Sequence, residues 1–297
     1  CTGPQRVAQP ALVSAAADWS FESNVAGRTL GLHVQPVGDL NGDGTSDFAA
    51  LGNVNSFYTA LYIFFGSASG PVLAPGYPVT ALPKDAGLAP AGDVNGDGRD
   101  DLALFWVVGG NLRMYFGSAT GVDLVSYNTL NAHFATNMFG LHGAPAGDVN
   151  GDGYGDVIFG MPTSGGTWPC GVSPNSGMAE VLYGSASGVS ASSVWYVTGC
   201  YATGPGAGLG TSVAGAGDVN GDSYDDIVIG APGADLNLVG TVGKAYVLYG
   251  SATGLPLLPG FSNLGSVIYG TTIAGQHLYG TFGNSVAPAG DLNGDGY

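Results

Sequence analysis

Asp218-Val219-Asn220-Gly221-Asp222-Ser223-Tyr224-Asp225-Asp226 runs directly into Ile227-Val228-Ile229-Gly230. An acidic nonapeptide with side-chain oxygens at its first, third, fifth and ninth positions thus opens a short β-branched run, the composition of a buried strand. The same nonapeptide spans Asp39 to Asp47, Asp93 to Asp101 and Asp148 to Asp156, and a fifth copy starts at Asp291 and runs to Tyr297. Repetition of this kind is read before anything else, because it defines the structural unit.

Alternate residues of a tight loop can aim their oxygens at one point. A hard cation such as Ca2+ takes six to eight oxygens at roughly 2.3–2.6 Å. The expected ligands of the first loop are Asp39, Asn41, Asp43 and Asp47 through side chains and Thr45 through its carbonyl. Those of the second are Asp93, Asn95, Asp97, the Arg99 carbonyl and Asp101. The third offers Asp148, Asn150, Asp152, the Tyr154 carbonyl and Asp156, and the fourth Asp218, Asn220, Asp222, the Tyr224 carbonyl and Asp226. The fifth offers Asp291, Asn293, Asp295 and the Tyr297 carbonyl. About one Ca2+ per loop is expected.

Glycine at loop positions 4 and 6 lets the backbone turn through φ > 0 without penalty. Position 6 is Gly44, Gly98, Gly153 and Gly296, but Ser223 in the fourth loop. A non-glycine residue in that conformation costs about 1–2 kcal/mol, so the fourth site is expected to be the most strained of the complete ones. An EF-hand is rejected: it needs a bidentate Glu at position 12 and flanking helices, whereas that position is Ala50, Leu104, Phe159 or Ile229. A dockerin-like helical exit is rejected by the Asp-Ile-Val-Ile-Gly strand. A metal-free hairpin turn would leave three carboxylates crowded in one small loop.

The chain carries 22 acidic against six basic residues in 297, a net charge of −16. Most of the acids fall in the loops, so the acidity reads as metal-binding capacity. So few Lys and Arg leave no basic patch for phosphates, which makes nucleic acid an improbable partner. No apolar stretch approaches the ~20 residues that span a bilayer. Hydrophobic residues make up 45%, enough for a core, and no helical period stands out.

A second marker follows each complete loop: Phe65-Gly-Ser-Ala-Ser-Gly70, Phe116-Gly-Ser-Ala-Thr-Gly121, Tyr183-Gly-Ser-Ala-Ser-Gly188 and Tyr249-Gly-Ser-Ala-Thr-Gly254. In the fourth unit, strands are predicted over Ser212–Gly217, Asp226–Gly230, Lys244–Tyr249 and Ser266–Tyr269. Four short strands per unit in tandem predict an all-β fold, a β-propeller of four-stranded blades with Ca2+-binding hairpin loops. The chain supplies four full blades and the start of a fifth.

This unit resembles the FG-GAP repeat of integrin α-subunit propellers and their bacterial relatives. Phe139-Gly140 and Phe282-Gly283 match the Phe-Gly element. Gly230-Ala231-Pro232 matches Gly-Ala-Pro, and Gly160-Met161-Pro162 nearly does. The acidic loop matches the family's Ca2+ hairpin. Units one and two depart from the pattern, with Ala50-Leu51-Gly52-Asn53 and Phe105-Trp106 in place of Gly-Ala-Pro. The resemblance covers roughly residues 30 to 297 and implies a seven-bladed parent, of which this chain is an incomplete part. The expected organisation is a leader over 1–16 and a propeller over 17–297. Residues 17–23, with Trp19 and Phe21, are an outer strand that closes the ring or a stalk.

Cys170 and Cys200 lie in one repeat and either pair as a disulfide, which an oxidising extracellular compartment would preserve, or stay as buried thiols. Cys1 followed by small and polar residues is either the lipidated cysteine of a bacterial lipoprotein or an arbitrary fragment start. The missing Asn-x-Ser/Thr sequons lean toward a bacterial source. The histidines His33, His133, His142 and His277 match no metal or catalytic spacing, and no nucleophile elbow is present. Trp168, Trp195 and Tyr201 mark a decorated third unit. The expected function is therefore non-enzymatic: an extracellular or surface-anchored adhesion or scaffold module that binds a protein or glycan on a cell or matrix surface. The alternatives are a glycan-binding lectin and the accessory propeller of a larger secreted enzyme.

Overall fold

A computed structural model describes residues 19–23, 27–106, 111–130, 140–163, 176–190, 194–199, 206–234, 240–256 and 270–290. Among them every regular element is a strand. The first sheet is β1 (His33–Gly38), β2 (Asp47–Asn53), β3 (Tyr58–Phe65) and β4 (Val72–Leu73), with β5 (Val79–Pro83) also pairing β3. The second is β6 (Ala86–Gly92), β7 (Asp101–Trp106), β8 (Asn111–Ser118) and β9 (Gly121–Leu130). The third is β10 (His142–Gly147), β11 (Asp156–Met161), β12 (Met178–Leu182) and β13 (Val194–Thr198). The fourth is β14 (Ser212–Gly217), β15 (Asp226–Ala231), β16 (Lys244–Leu248) and β17 (Gly270–Ala274). Each is an antiparallel meander in chain order, and the first strands β1, β6, β10 and β14 stand side by side along one line. This is the blade arrangement of a β-propeller.

Period-two alternation explains why the sheets stack. In β7, Leu102, Leu104 and Trp106 point to the first sheet, while Ala103 and Phe105 point to the third. In β11, Val157, Phe159 and Met161 face back to the second sheet, and Ile158 faces the fourth. Both faces of an inner sheet are thus apolar, as sheets buried on two sides require. Full burial of one such side chain, Phe159 for example, stabilises by about 1.5–3 kcal/mol.

The outer rim carries a repeated latch. The N–H just after the second, third and fourth Gly-Ser-Ala turns is donated to the preceding blade: Val122 to the Tyr77 hydroxyl (3.1 Å), Val189 to Asn128 Oδ1 (3.1 Å), and Leu255 to the Tyr183 hydroxyl (3.0 Å). The first turn is followed by Pro71, which has no N–H to give. These bonds tie neighbouring blades together at their rims.

One expectation changes and another goes untested. Trp19–Ser23 form no strand. Trp19 and Phe21 instead lay their rings on Phe64 (5.4 and 5.0 Å between centroids), covering the first sheet's outward face. Phe21 is partly buried against this aromatic face, while Trp19 stays 38% exposed. The fourth blade's outermost strand lies at Gly270–Ala274; the expected Ser266–Tyr269 lies outside the described residues. Cys1, Cys170, Cys200, His133, Trp168, Tyr201 and the fifth loop (Asp291, Asn293, Asp295, Tyr297) also lie outside them, as does the leader over 1–16.

Candidate metal centre

Each acidic loop joins the first and second strands of a blade, so all four complete loops sit at one end of the sheets. The glycine before each loop pairs with the ninth residue across a register irregularity: Gly38 with Asp47, Gly92 with Asp101, Gly147 with Asp156 and Gly217 with Asp226. The bulge turns the chain out of the sheet and lets nine residues close a hairpin.

Within the loop, the first aspartate organises the backbone. Asp39 accepts N–H bonds from Gly42 (2.8 Å) and Asp43 (3.0 Å) on one oxygen and from Gly44 (2.7 Å) on the other. Asp93, Asp148 and Asp218 repeat the bonds from positions 5 and 6. Asn41 Oδ1 accepts the Asp43 N–H, and Asp43 accepts the Thr45 N–H. The Thr45 hydroxyl, the Asn41 amide and the Thr45 N–H hold the Asp43 carboxyl below its usual range.

The ninth aspartate differs from the others. Asp47, Asp101, Asp156 and Asp226 are all buried, between 0 and 2% exposed. Each accepts the N–H of loop position 2 on one oxygen and the N–H of the Gly-Ser-Ala glycine on the other. For Asp101 these are Val94 (3.0 Å) and Gly117 (2.8 Å); for Asp156, Val149 and Gly184. Asp47 and Asp226 repeat the pattern. The two sequence markers are therefore one structural device, the carboxylate of the first clamping the amide of the second. That marker must start with glycine, because a Cβ on Gly117 or Gly184 would stand 2.4 or 2.3 Å from the carbonyl of the loop's eighth residue. Burial pushes these carboxyls up, to about 7 for Asp101 and Asp156, against the N–H bonds; the other aspartates of the same loop add to the rise.

The donor set fits a hard cation: loop positions 1, 3, 5 and 9 each carry a side-chain oxygen, although the position-3 amide nitrogen donates to the position-5 carboxylate, and the ninth carboxylate keeps unused lone pairs beyond its two N–H bonds. The loop presents donors on one hairpin rather than a finished cage, since no three His, Cys, Asp or Glu side chains are gathered as a formed site among the described residues. Ser223 adopts φ 74°, as expected at loop position 6, where Gly44, Gly98 and Gly153 have φ 84–90°.

Two residues absent from the ligand spacing also belong to the loops. Asp100 accepts the Asp39 N–H at 2.7 Å, and Asp225 accepts the Asp148 N–H at 2.7 Å. Both occupy loop position 8 and reach across to the preceding blade. Their signal was present only as an extra acid beside the ninth aspartate, with nothing in the spacing to say where it pointed.

At the opposite end of the inner strands, His33, Gln35, Asp85, Phe105 and His142 line a cavity of about 290 Å3. Burial holds the His142 imidazole below its usual range, and His33 adds to this. The acidic loops include neither His33 nor His142.

Residues 209–248 match the FG-GAP repeat. The match takes in β14, the acidic loop, β15 and β16. The chain is also similar to integrin α-subunits: 33% identical to mouse integrin alpha-IIb over 48% of this chain, and 28% identical to chicken integrin alpha-V over 67% of it. Integrin alpha pat-2 of Caenorhabditis elegans is 31% identical over 69% of the chain. These matches span 14%, 20% and 16% of the three relatives' own length. All three are animal proteins and lend no support to a bacterial source. No helix among the described residues is long and apolar enough to cross a membrane.

Proposed function

We propose that the chain is a calcium-stabilised FG-GAP propeller that binds another macromolecule outside the cell, as a non-catalytic adhesion or scaffold module. The observation that carries this reading is the fourfold recurrence of an oxygen-donor hairpin, each anchored by a buried aspartate to the next structural marker of its own blade. Similarity to integrin α-subunits supports the binding role and an extracellular or cell-surface location. The residues that would hold the ions are Asp39, Asn41, Asp43, Thr45 and Asp47, and their counterparts in the other loops. A bound Ca2+ would supply charge neutralisation and fix the hairpin. The chain's own residues do the rest: the first aspartate orders the loop's amides, and the ninth ties the loop to the sheet.

The metal part is tested by titrating the chelated protein with Ca2+ in a calorimeter and recording melting curves alongside. Saturable heat with a rising melting temperature supports it; no heat at millimolar Ca2+ overturns it. The binding part is tested by immobilising the protein and passing matrix proteins and a glycan array over it, with Ca2+ and with EDTA. Calcium-dependent protein capture supports the adhesion module, whereas capture of glycans alone turns the reading to a lectin.

A further inference from the structure

The acidic loops are not isolated from one another. The peptide joining Arg99 to Asp100 donates its N–H to the carbonyl of Asp39 at 3.0 Å. The corresponding peptide of the third loop donates from Gly155 to the Asp93 carbonyl at 2.9 Å, and that of the fourth from Asp225 to the Asp148 carbonyl at 3.2 Å. In each case the carbonyl at the other end of that same peptide, on Arg99, Tyr154 or Tyr224, is the proposed position-7 ligand. One rigid amide plane therefore faces its own loop with its oxygen and the preceding loop with its hydrogen. The position-7 side chains follow the same route: Arg99 lies against Gly42, Tyr154 against Gly96 and Tyr224 against Gly151.

The three junctions are not equal. At the first, Asp100 also takes the Asp39 N–H, so both backbone groups of Asp39 are held by one residue of the next loop. Asp225 does the same to Asp148. Position 8 of the third loop is Gly155, which has no carboxylate to offer Asp93. The space is shaped to match. A Cβ on Gly38 would stand 2.0 Å from the Asp100 carboxylate and one on Gly147 2.1 Å from that of Asp225, while Gly92 faces only Pro145.

We propose that Asp100 and Asp225 are positioning residues that couple cation binding in pairs, loop 1 with loop 2 and loop 3 with loop 4. This rests on the calcium reading above. Fixing a position-7 carbonyl polarises the amide it belongs to, and chains of polarised hydrogen bonds strengthen one another. That amide bond is common to all three junctions. Only at the first and third does the residue carrying it add a carboxylate that also holds the N–H of the preceding loop's first aspartate. Only there, then, are both backbone groups of that aspartate, which organises its loop's N–H groups, tied to the next loop. Coupling is reciprocal, so filling either loop favours its partner.

The test uses amide resonances of the whole chain during Ca2+ titration. The N–H groups of Gly44, Gly98, Gly153 and Ser223 each donate to the first aspartate of their own loop and report the four loops separately. In the unaltered protein, Gly44 and Gly98 are expected to share one midpoint and Gly153 and Ser223 another. Asp97→Asn, on an exposed loop side chain, disables loop 2; it should raise the Gly44 midpoint by about fivefold or more, the low end of ordinary site coupling. In an Asp100→Ser background the same Asp97→Asn change should leave the Gly44 midpoint where it was. A general loss of stability would move all four reporters and would not produce this non-additivity. If Asp97→Asn leaves Gly44 unmoved in the Asp100 protein, the loops are independent and the coupling is wrong, while the calcium reading stands. If no reporter responds to Ca2+, the calcium reading itself fails and the coupling with it. Should a variant not fold, the unaltered titration still decides: separated midpoints within a pair, each with unit Hill slope, overturn the proposal.

Discussion

Ser223→Gly should make the protein more stable, although it deletes a side chain. Ser223 sits at φ 74°, where a residue with a Cβ is held at a cost of about 1–2 kcal/mol. Glycine removes that strain but brings a freer unfolded chain, a loss of about 0.5–1 kcal/mol. The N–H bond to Asp218 at 2.7 Å comes from the backbone and survives the change. The net gain is therefore between about 0 and 1.5 kcal/mol, centred near 0.75, or roughly 2–3 °C in melting temperature at the centre for a domain of this size. Gly98→Ser is the mirror experiment. Gly98 has φ 84°, and nothing lies within 4 Å of the Cβ it would acquire, so backbone strain is the main effect. It should lower the melting temperature by a similar amount. Both variants are read by differential scanning fluorimetry in EDTA, so that ion binding does not enter. A lower melting temperature for Ser223→Gly, or a higher one for Gly98→Ser, would refute the strain argument.

Other consequences follow from the same geometry. EDTA should lower the melting temperature of the unaltered protein, because each site held at a hundredfold its Kd contributes about 2.7 kcal/mol; an unchanged melt contradicts a structural role for the ion. Gly184→Ala should cost about 1–3 kcal/mol in urea denaturation, since the new methyl group meets the carbonyls of Gly155 at 2.3 Å and Val94 at 2.8 Å. Tyr183→Phe leaves the Leu255 N–H without its acceptor and should cost about 1–3 kcal/mol in the same assay. Asp97→Asn should leave stability in EDTA within about 0.5 kcal/mol, as exposed substitutions usually do, while reducing the stabilisation that Ca2+ gives.

The sequence by itself determined the repeat, the all-β blade and the hairpin position of the four complete acidic loops. These are local facts. Strand alternation needs only neighbours in the chain, and a nonapeptide turn closes on itself, so even the left-handed backbone at Ser223 was legible. The placement of Trp19 and Phe21 was not, because their partners Phe48, Tyr62 and Phe64 are distant in sequence. The tertiary structure alone decided what the ninth aspartate does besides facing the loop. Its two N–H partners come from loop position 2 and from a turn 16 to 28 residues further on. It alone decided the role of Asp100 and Asp225. Whether a carboxylate at position 8 meets solvent or the backbone of another blade depends on how neighbouring sheets are set side by side, and that is fixed by packing across faces rather than by any spacing within one repeat.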